Sequence, residues 1–235
     1  MKLAGKTVLI TGGSKGIGYG IAQSCLKKGM KVMITARNED DLDGAVSQLS
    51  KISRDIDSCL ADVRSMKDQE KAVKALVDRY GSIDVVIANA GVGHFAPIED
   101  LTAQQWNDTI DINLTGVFNT VKASLPEVIK SKGYIITIAS LAGTNFFATG
   151  AAYNASKFGL VGFTQAIMLD VRRKGVKVST IMPGSVATHF NDRTPTDADS
   201  WKIQAEDIGQ IVVDLLNMPP RTLPSKVEVR PSIPK

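Results

Sequence analysis

Short apolar runs recur along the chain, spaced so that a helix fits between each pair. Six of them, Thr7–Thr11, Lys31–Ala36, Asp57–Ala61, Asp84–Ala88, Tyr134–Ala139 and Val176–Met182, are rich in valine and isoleucine and continuous instead of alternating. Continuous runs of this length predict strands buried on both faces of a parallel sheet, because alternation marks a sheet with one wet face. Between them, helical periodicity runs over Ile17–Lys28, Asp40–Ile52 and Met66–Tyr80. A longer helical pair follows over about Ala103–Lys130, and a further helix over about Tyr153–Lys174. Strands alternating with helices predict an α/β fold, a Rossmann-type doubly wound parallel sheet with helices on both faces. No linker or repeat divides residues 1–235, so a single domain is expected. Residues 184–204 break the rhythm and are long enough for a substrate loop or mobile lid, carrying Asp192, Arg193, Asp197 and Asp199. Residues 218–225 predict a turn before a short last strand, Lys226–Arg230.

Composition narrows the function by exclusion. The net charge of +4 is spread thinly, and no Lys/Arg-rich run suited to a phosphate backbone occurs, which argues against nucleic-acid binding. The two cysteines, Cys25 and Cys59, lie outside any CxxC and away from paired histidines, so no metal site can be written. Their expected state is two reduced, buried thiols. No window is long and apolar enough for a membrane span, and the first residues lack the pattern of a signal peptide. A cytoplasmic protein without a membrane partner is the expectation.

Directly after the first predicted strand comes Thr11-Gly12-Gly13-Ser14-Lys15-Gly16-Ile17-Gly18. Glycines here turn the chain tightly from strand to helix and bring backbone N–H groups, with the positive end of the helix, up to a pyrophosphate. The spacing is G-x-x-x-G-x-G, not the G-x-G-x-x-G of the general fingerprint; its place between first strand and first helix makes it a dinucleotide site. The second strand ends at Ala36, followed by Arg37, where a protein holding NAD by its ribose 2′-hydroxyl places a carboxylate. A guanidinium suits a 2′-phosphate instead, and Lys15 in the glycine turn is placed to reach the same group. Singly each is an ordinary surface charge. Together, where an acid is missing, they point to NADP(H).

Ser140 ends a predicted strand, and Tyr153 and Lys157 share a helix face one turn apart. A nearby ammonium favours tyrosinate and is expected to lower the phenol's pKa, making it a better proton donor to a carbonyl oxygen. Tyr-x-x-x-Lys is commonplace by itself. With Thr-Gly-x-x-x-Gly-Ile-Gly, Asn89-Ala90-Gly91, Asn113 and Ser140 in order, however, nearly the whole chain resembles the short-chain dehydrogenase/reductase family, most of all its NADP-preferring 3-ketoacyl reductases. The resemblance implies Tyr153 as acid/base, Ser140 orienting the carbonyl, and Lys157 holding the nicotinamide ribose and tuning the tyrosine. It also implies that Asn113 holds a water linking Lys157 to solvent. It places Asp62 and Val63 at the adenine, Asn89 as a brace beside the cofactor with Ala90 and Gly91, Pro183, Gly184 and Val186 at the carboxamide, and Thr188 near the phosphates. Two departures stand out. Ala88 replaces an asparagine common among relatives, and Val227-Glu228-Val229-Arg230-Pro231-Ser232 replaces the Asp-Gly-Gly ending of tetrameric fatty-acid ketoreductases.

The expected activity is therefore NADPH-dependent reduction of a ketone, aldehyde or 3-oxoacyl group. An NAD-linked alcohol dehydrogenase and a non-catalytic nucleotide-sensing or scaffold protein are the alternatives; Arg37 opposes the first, the full reactive set the second. The substrate crevice lies beyond the carboxyl ends of the strands. Loops expected there carry His94-Phe95, Phe146-Phe147 and His189-Phe190, which suggests an apolar pocket with Phe147 and Phe190 on its wall and histidines, His94 among them, on its rim. Small residues Ala155, Gly159, Gly162 and Ala166 recur along the Tyr153 helix, and relatives often pair through this helix, so a homodimer or homotetramer is expected.

Overall fold

A computed structural model describes residues 3–190 and 193–234 of the chain. Seven strands, β1 (Thr7–Thr11), β2 (Lys31–Ala36), β3 (Ile56–Leu60), β4 (Val85–Ala88), β5 (Tyr134–Ile138), β6 (Lys177–Pro183) and β7 (Lys226–Val229), form one sheet in the order β3-β2-β1-β4-β5-β6-β7. Every pair is parallel, with registers such as Val8↔Val32 and Val8↔Val85. The helices are α1 (Gly16–Lys27), α2 (Glu39–Leu49), α3 (Met66–Tyr80), α4 (Ala103–Ile110), α5 (Gly116–Ser131), α6 (Ala151–Val171) and α7 (Ala205–Asn217).

The pleat sorts the apolar runs onto two faces. Val8 and Ile10 of β1 pack with Ile21 and Leu26 of α1, Leu42 and Leu49 of α2, and Val212 and Leu216 of α7. Leu9, between them, joins the opposite core with Leu76 of α3, Val121 of α5 and Leu160 of α6. This two-sided burial is why the strands read as unbroken apolar runs. Local signals set the helix starts: Asn38 accepts the N–H of Asp41 at 2.8 Å, Ser65 that of Asp68 at 3.2 Å, and Thr102 forms a reciprocal cap with Gln105.

The observed elements depart from the predicted ones at their edges. The strand expected over Asp57–Ala61 runs one residue earlier, and that over Val176–Met182 one residue later. The fourth strand starts at Val85, because the Asp84 carboxylate is taken by the Thr7 N–H at 3.0 Å and the Lys6 ammonium at 2.7 Å at the sheet's floor. The fifth strand stops at Ile138 and the last at Val229. Helix α2 ends at Leu49 instead of Ile52, where the Ser50 N–H donates back to the Val46 carbonyl at 2.8 Å and the chain turns. Helix α6 opens two residues before Tyr153 and tightens into a 3₁₀ turn over Arg172–Lys174. The predicted helical pair is interrupted by a π-helical segment, Asp111–Thr115. The 184–204 loop is tied at its base by the Val186↔Ile203 bridge and by a short 3₁₀ turn, Asp197–Asp199. Asp192 lies outside the described residues.

Both cysteines are buried and unpaired, with Cys25 pushed up to about 12 by burial. Among the described residues, no helix is long and apolar enough to cross a membrane.

Helices α1 and α7 touch through glycines. A Cβ on Gly20 would lie 2.5 Å from the Ala205 carbonyl carbon, and one on Gly209 would lie 2.6 Å from the Gly20 oxygen. These neighbours are backbone and have little room to move. Gly20→Ala is therefore expected to destabilise the fold by about 1–3 kcal/mol through overpacking. Urea unfolding of the two proteins measures it, and an unchanged midpoint would refute the close approach.

Candidate active site

Strand order reverses between β1 and β4, so their connections leave to opposite faces of the sheet and a crevice lies beyond their carboxyl ends. Its floor is cross-braced. Thr11 Oγ1 accepts the N–H groups of Asn89 at 3.0 Å and Ala90 at 3.2 Å, while Asn89 Nδ2 donates to the carbonyls of Thr11 at 2.9 Å and Gly12 at 3.1 Å. Gly12 and Gly16 both take left-handed backbone, with φ of 64° and 59°. A Cβ on Gly12 would lie 2.9 Å from Ala90 Cα, so the turn is pressed against the loop after β4. Helix α1 starts there with no side-chain cap and no acid in its first turn, which leaves its first N–H groups without a side-chain partner. Such a cradle fits a pyrophosphate. A Cβ on Gly16 would come within 3.4 Å of Thr188 Cβ, so the loop after β6 borders the same place. Ser14 and Ile17 lie within this turn, and Pro183, Gly184 and Val186 lead from β6 toward Thr188.

At the far end of the crevice, Arg37 is exposed just before α2. Lys15 reaches Asp41 in the first turn of that helix at 3.4 Å. Asp62 is held by Arg64, whose Nη2 donates to Oδ2 at 2.6 Å and whose Nε donates to Oδ1 at 3.1 Å. Burial works to raise the Asp62 carboxyl, but the Arg64 hydrogen bonds and the charge of Arg37 hold it below its ordinary value. Asn119 Nδ2 fixes the same turn by donating to the carbonyls of Val63 and Arg64 at 2.9 and 3.1 Å.

Ser140, Tyr153, Lys157 and Asn113 meet where β5, β4 and α6 converge. Ser140 Oγ accepts the Ala142 N–H at 3.1 Å and donates weakly, at 3.4 Å, to the Pro183 carbonyl. Lys157 Nζ donates to the Ile138 carbonyl at 3.1 Å and lies 5.6 Å from the Tyr153 ring centroid. Asn113 is fully buried in the π-helical segment. Its amide clamps Val92, accepting the N–H at 2.8 Å and donating to the carbonyl at 2.9 Å, and it donates to Ser156 Oγ at 3.1 Å. Any water held by this side chain would have to use the second lone pair of Oδ1. The Cβ position of Gly91 is 3.3 Å from that oxygen and 3.7 Å from Lys157 Nζ, so all three border one small space.

The family described as short chain dehydrogenase matches residues 6–199. The chain belongs to the short-chain dehydrogenase family. It is similar to an uncharacterized oxidoreductase of Staphylococcus epidermidis, 33% identical over 231 residues that cover 98% of this chain and 99% of that protein. A putative ketoacyl reductase of Streptomyces coelicolor is 35% identical over 206 residues, covering 86% of this chain and 79% of the relative. Among solved structures, an alcohol dehydrogenase of the archaeon Thermococcus sibiricus, complexed with 5-hydroxy-NADP, matches 98% of both chains with a TM-score of 0.92 and 26% identity.

In this short-chain dehydrogenase the tyrosine titrates against expectation. Burial raises the Tyr153 phenol above its ordinary value, and the nearby Ser140 hydroxyl only partly offsets this. The net shift is upward, not downward as the spacing suggests, and Lys157 is itself desolvated, falling from 10.5 to about 8.

Near Tyr153, Phe95 and Phe190 pack against its ring, and Phe147 packs on Phe95. Phe146, 82% exposed, leaves this group and stacks on Phe158 of α6 at 5.9 Å. His94 is half-buried beside Phe95, and His189 is exposed. Sequence reasoning passed over Ser156, Arg64, Asn119 and Asn154. The last holds the loop between β5 and α6 through the carbonyls of Ala142 and Asn145, at 2.8 and 2.7 Å. None carries a recognisable motif: Asn119 and Asn154 act on backbone of other segments, Ser156 on the Asn113 side chain and Arg64 on the Asp62 carboxylate.

The displaced lysine has a measurable consequence. Unfolded Lys157 titrates near 10.5 and folded Lys157 near 8, so the unfolded chain holds the extra proton between those pH values. Stability of the cofactor-free protein is therefore expected to rise with pH across that window, by about 3 kcal/mol in all from this group, the deficit being complete below pH 8. Lys157→Met removes the slope. Urea unfolding from pH 7 to 10 should show the variant's advantage shrinking as pH rises, and a constant gap would contradict a desolvated ammonium.

Proposed function

We propose that this protein reduces a ketone, aldehyde or 3-oxoacyl carbonyl to an alcohol with NADPH, using Tyr153 as proton donor. The observation that carries the reading is the convergence of Ser140, Tyr153, Lys157 and Asn113 at the mouth of a crevice whose other end holds an uncapped helix start. Bound NADPH supplies the hydride.

The residues divide the remaining work. Gly12, Ser14, Gly16, Ile17 and Gly18 receive the pyrophosphate on bare backbone, with Thr188 beside it. Lys15 and Arg37 hold the 2′-phosphate. The Lys15–Asp41 pair is exposed and contributes little, so the ammonium exchanges readily for a phosphate. Asp62 and Val63 take the adenine, Asn89, Ala90 and Gly91 line the ribose side, and Pro183, Gly184 and Val186 take the carboxamide. The Thermococcus sibiricus structure, with its 5-hydroxy-NADP, supports the choice of dinucleotide.

Ser140 turns its weakly engaged hydroxyl from Pro183 to the substrate oxygen. Tyr153, kept protonated by burial, delivers its proton to the same oxygen as negative charge develops there. Lys157 holds the ribose and stabilises the tyrosinate left behind, and Asn113 with a water returns the proton. The putative ketoacyl reductase relative favours the reductive direction. Exposed Phe118 and Phe158, with open space at Gly162, support self-association through α5 and α6 as a homodimer or homotetramer. The same reading puts the protein in the cytoplasm, where Cys25 and Cys59 stay reduced.

Tyr153→Phe is expected to lower kcat for carbonyl reduction by about 10²–10⁴ while leaving the Kd for NADPH within a few-fold. Unchanged turnover in a NADPH-oxidation screen over ketones, aldehydes and ketoacyl thioesters would refute the donor role. Arg37→Ala is expected to weaken NADPH about 10- to 100-fold and spare NADH, by loss of charge-assisted hydrogen bonds. Equal Kd values for NADPH and NADH in the parent protein would sink the cofactor assignment.

A further inference from the structure

Two phenylalanines, Phe95 and Phe190, crowd the Tyr153 ring and a third, Phe147, packs on Phe95, each from a different loop at the carboxyl ends of the strands. Phe95 follows β4, Phe147 follows β5 and Phe190 follows β6. Phe95 is the hub, with centroids 5.4 Å from Tyr153, 5.8 Å from Phe147 and 6.4 Å from Phe190. Phe190 also lies 5.8 Å from Tyr153. Interplanar angles of 53° to 66° mean that no pair is stacked; the rings meet tilted or edge to face.

These rings are not core. Phe95, Phe147 and Phe190 are 39%, 47% and 37% exposed, which leaves apolar surface open in the group of rings around Tyr153. Their arrangement is provided for by glycines. A Cβ on Gly93 would lie 2.6 Å from Phe190 Cζ and 2.8 Å from Phe95 Cζ. One on Gly150 would lie 2.6 Å from Phe147 Cε2 and from Asn154 Oδ1. Neither glycine has a positive φ, so the backbone does not require them. What they supply is room for the rings.

We infer that this cage selects carbonyl compounds whose C=O sits on or next to a planar unsaturated ring, an aryl ketone, aryl aldehyde or fused cyclic enone, and that Gly93 sets its geometry. The inference rests on the carbonyl-reduction reading. A flat guest meets ring edges with its face and ring faces with its edge, whereas a saturated ring of the same size gains burial alone. Each aromatic pair then favours the flat guest by between about twofold and tenfold.

The test compares acetophenone with cyclohexyl methyl ketone, and 1-phenylethanol with 1-cyclohexylethanol. Conjugation alters the carbonyl's own reactivity, so the readout is the change in the aryl-to-saturated ratio between wild type and variant, in which that reactivity cancels. For the full chain with NADPH, Phe95→Leu is expected to lower the kcat/KM ratio about fivefold. Gly93→Ala should lower it in the same direction with an unchanged urea midpoint, because the clash falls on ring tips that can swing. The Kd ratio of the two alcohols, measured by ligand-observed NMR in the presence of NADP⁺, should fall in parallel. Ratios that stay at the wild-type value in both variants would overturn the cage, whether or not turnover is seen. Wild-type protein that binds the aryl alcohol preferentially but oxidises no NADPH with any carbonyl would overturn the reduction reading and leave the cage standing.

Discussion

Lys157 carries an ammonium into the interior, and among the described residues its hydrogen-bond acceptor is a single carbonyl, that of Ile138. A buried cation without a carboxylate is unfavourable, and only surroundings that are rigid for other reasons keep it there. The end of β5, the first turns of α6 and the loop after β4 must all hold their places around it. Its position on the same helix face as Tyr153 follows from the four-residue spacing. That it points inward follows from α6 lying against the sheet, with Leu160 and Thr164 buried below it.

Rigidity comes from side chains that bond backbone across chain-distant segments. Asn113 clamps Val92 and Ser156, Asn89 and Thr11 tie the ends of β1 and β4, and Asn154 pins the loop leaving β5. The π-helical segment matters to the first of these, since the widened turn brings Asn113 to the buried side between α4 and α5. Each amide is satisfied by groups that would otherwise be orphaned near the crevice, so the polar framework is ordered without a ligand. A site preorganised in this way does not have to reorganise as charge develops.

The two ends of the crevice are physically unlike. Around Lys15, Arg37, Asp41, Asp62 and Arg64 the surface is charged, partly exposed and held by ion pairs that water weakens. Around Tyr153 the walls are phenylalanine rings and the polar groups are few. Exchangeable charge suits anionic groups at the first end. The low-dielectric wall at the second keeps the phenol protonated.

Much of this was legible in the chain. Continuous Val/Ile runs determined a parallel sheet covered on both faces, because only strands without a wet face dispense with alternation. Glycines between β1 and α1 determined the tight turn, since left-handed φ at Gly12 and Gly16 excludes most other residues. The order of Asn113, Ser140, Tyr153 and Lys157 pointed to residues that the fold brings to one end of the crevice. Tertiary structure alone decided the rest. The direction of the Tyr153 shift depends on burial, which spacing does not encode. The work of Ser156, Asn119 and Asn154 depends on which backbone segments fold beside them. The grouping of Phe95 with Phe147 and Phe190, and the departure of Phe146 to Phe158, depends on three loops meeting above the sheet. Local sequence determines what each segment prefers; contact between segments far apart in the chain is settled only when the sheet closes and the loops are forced to share one space.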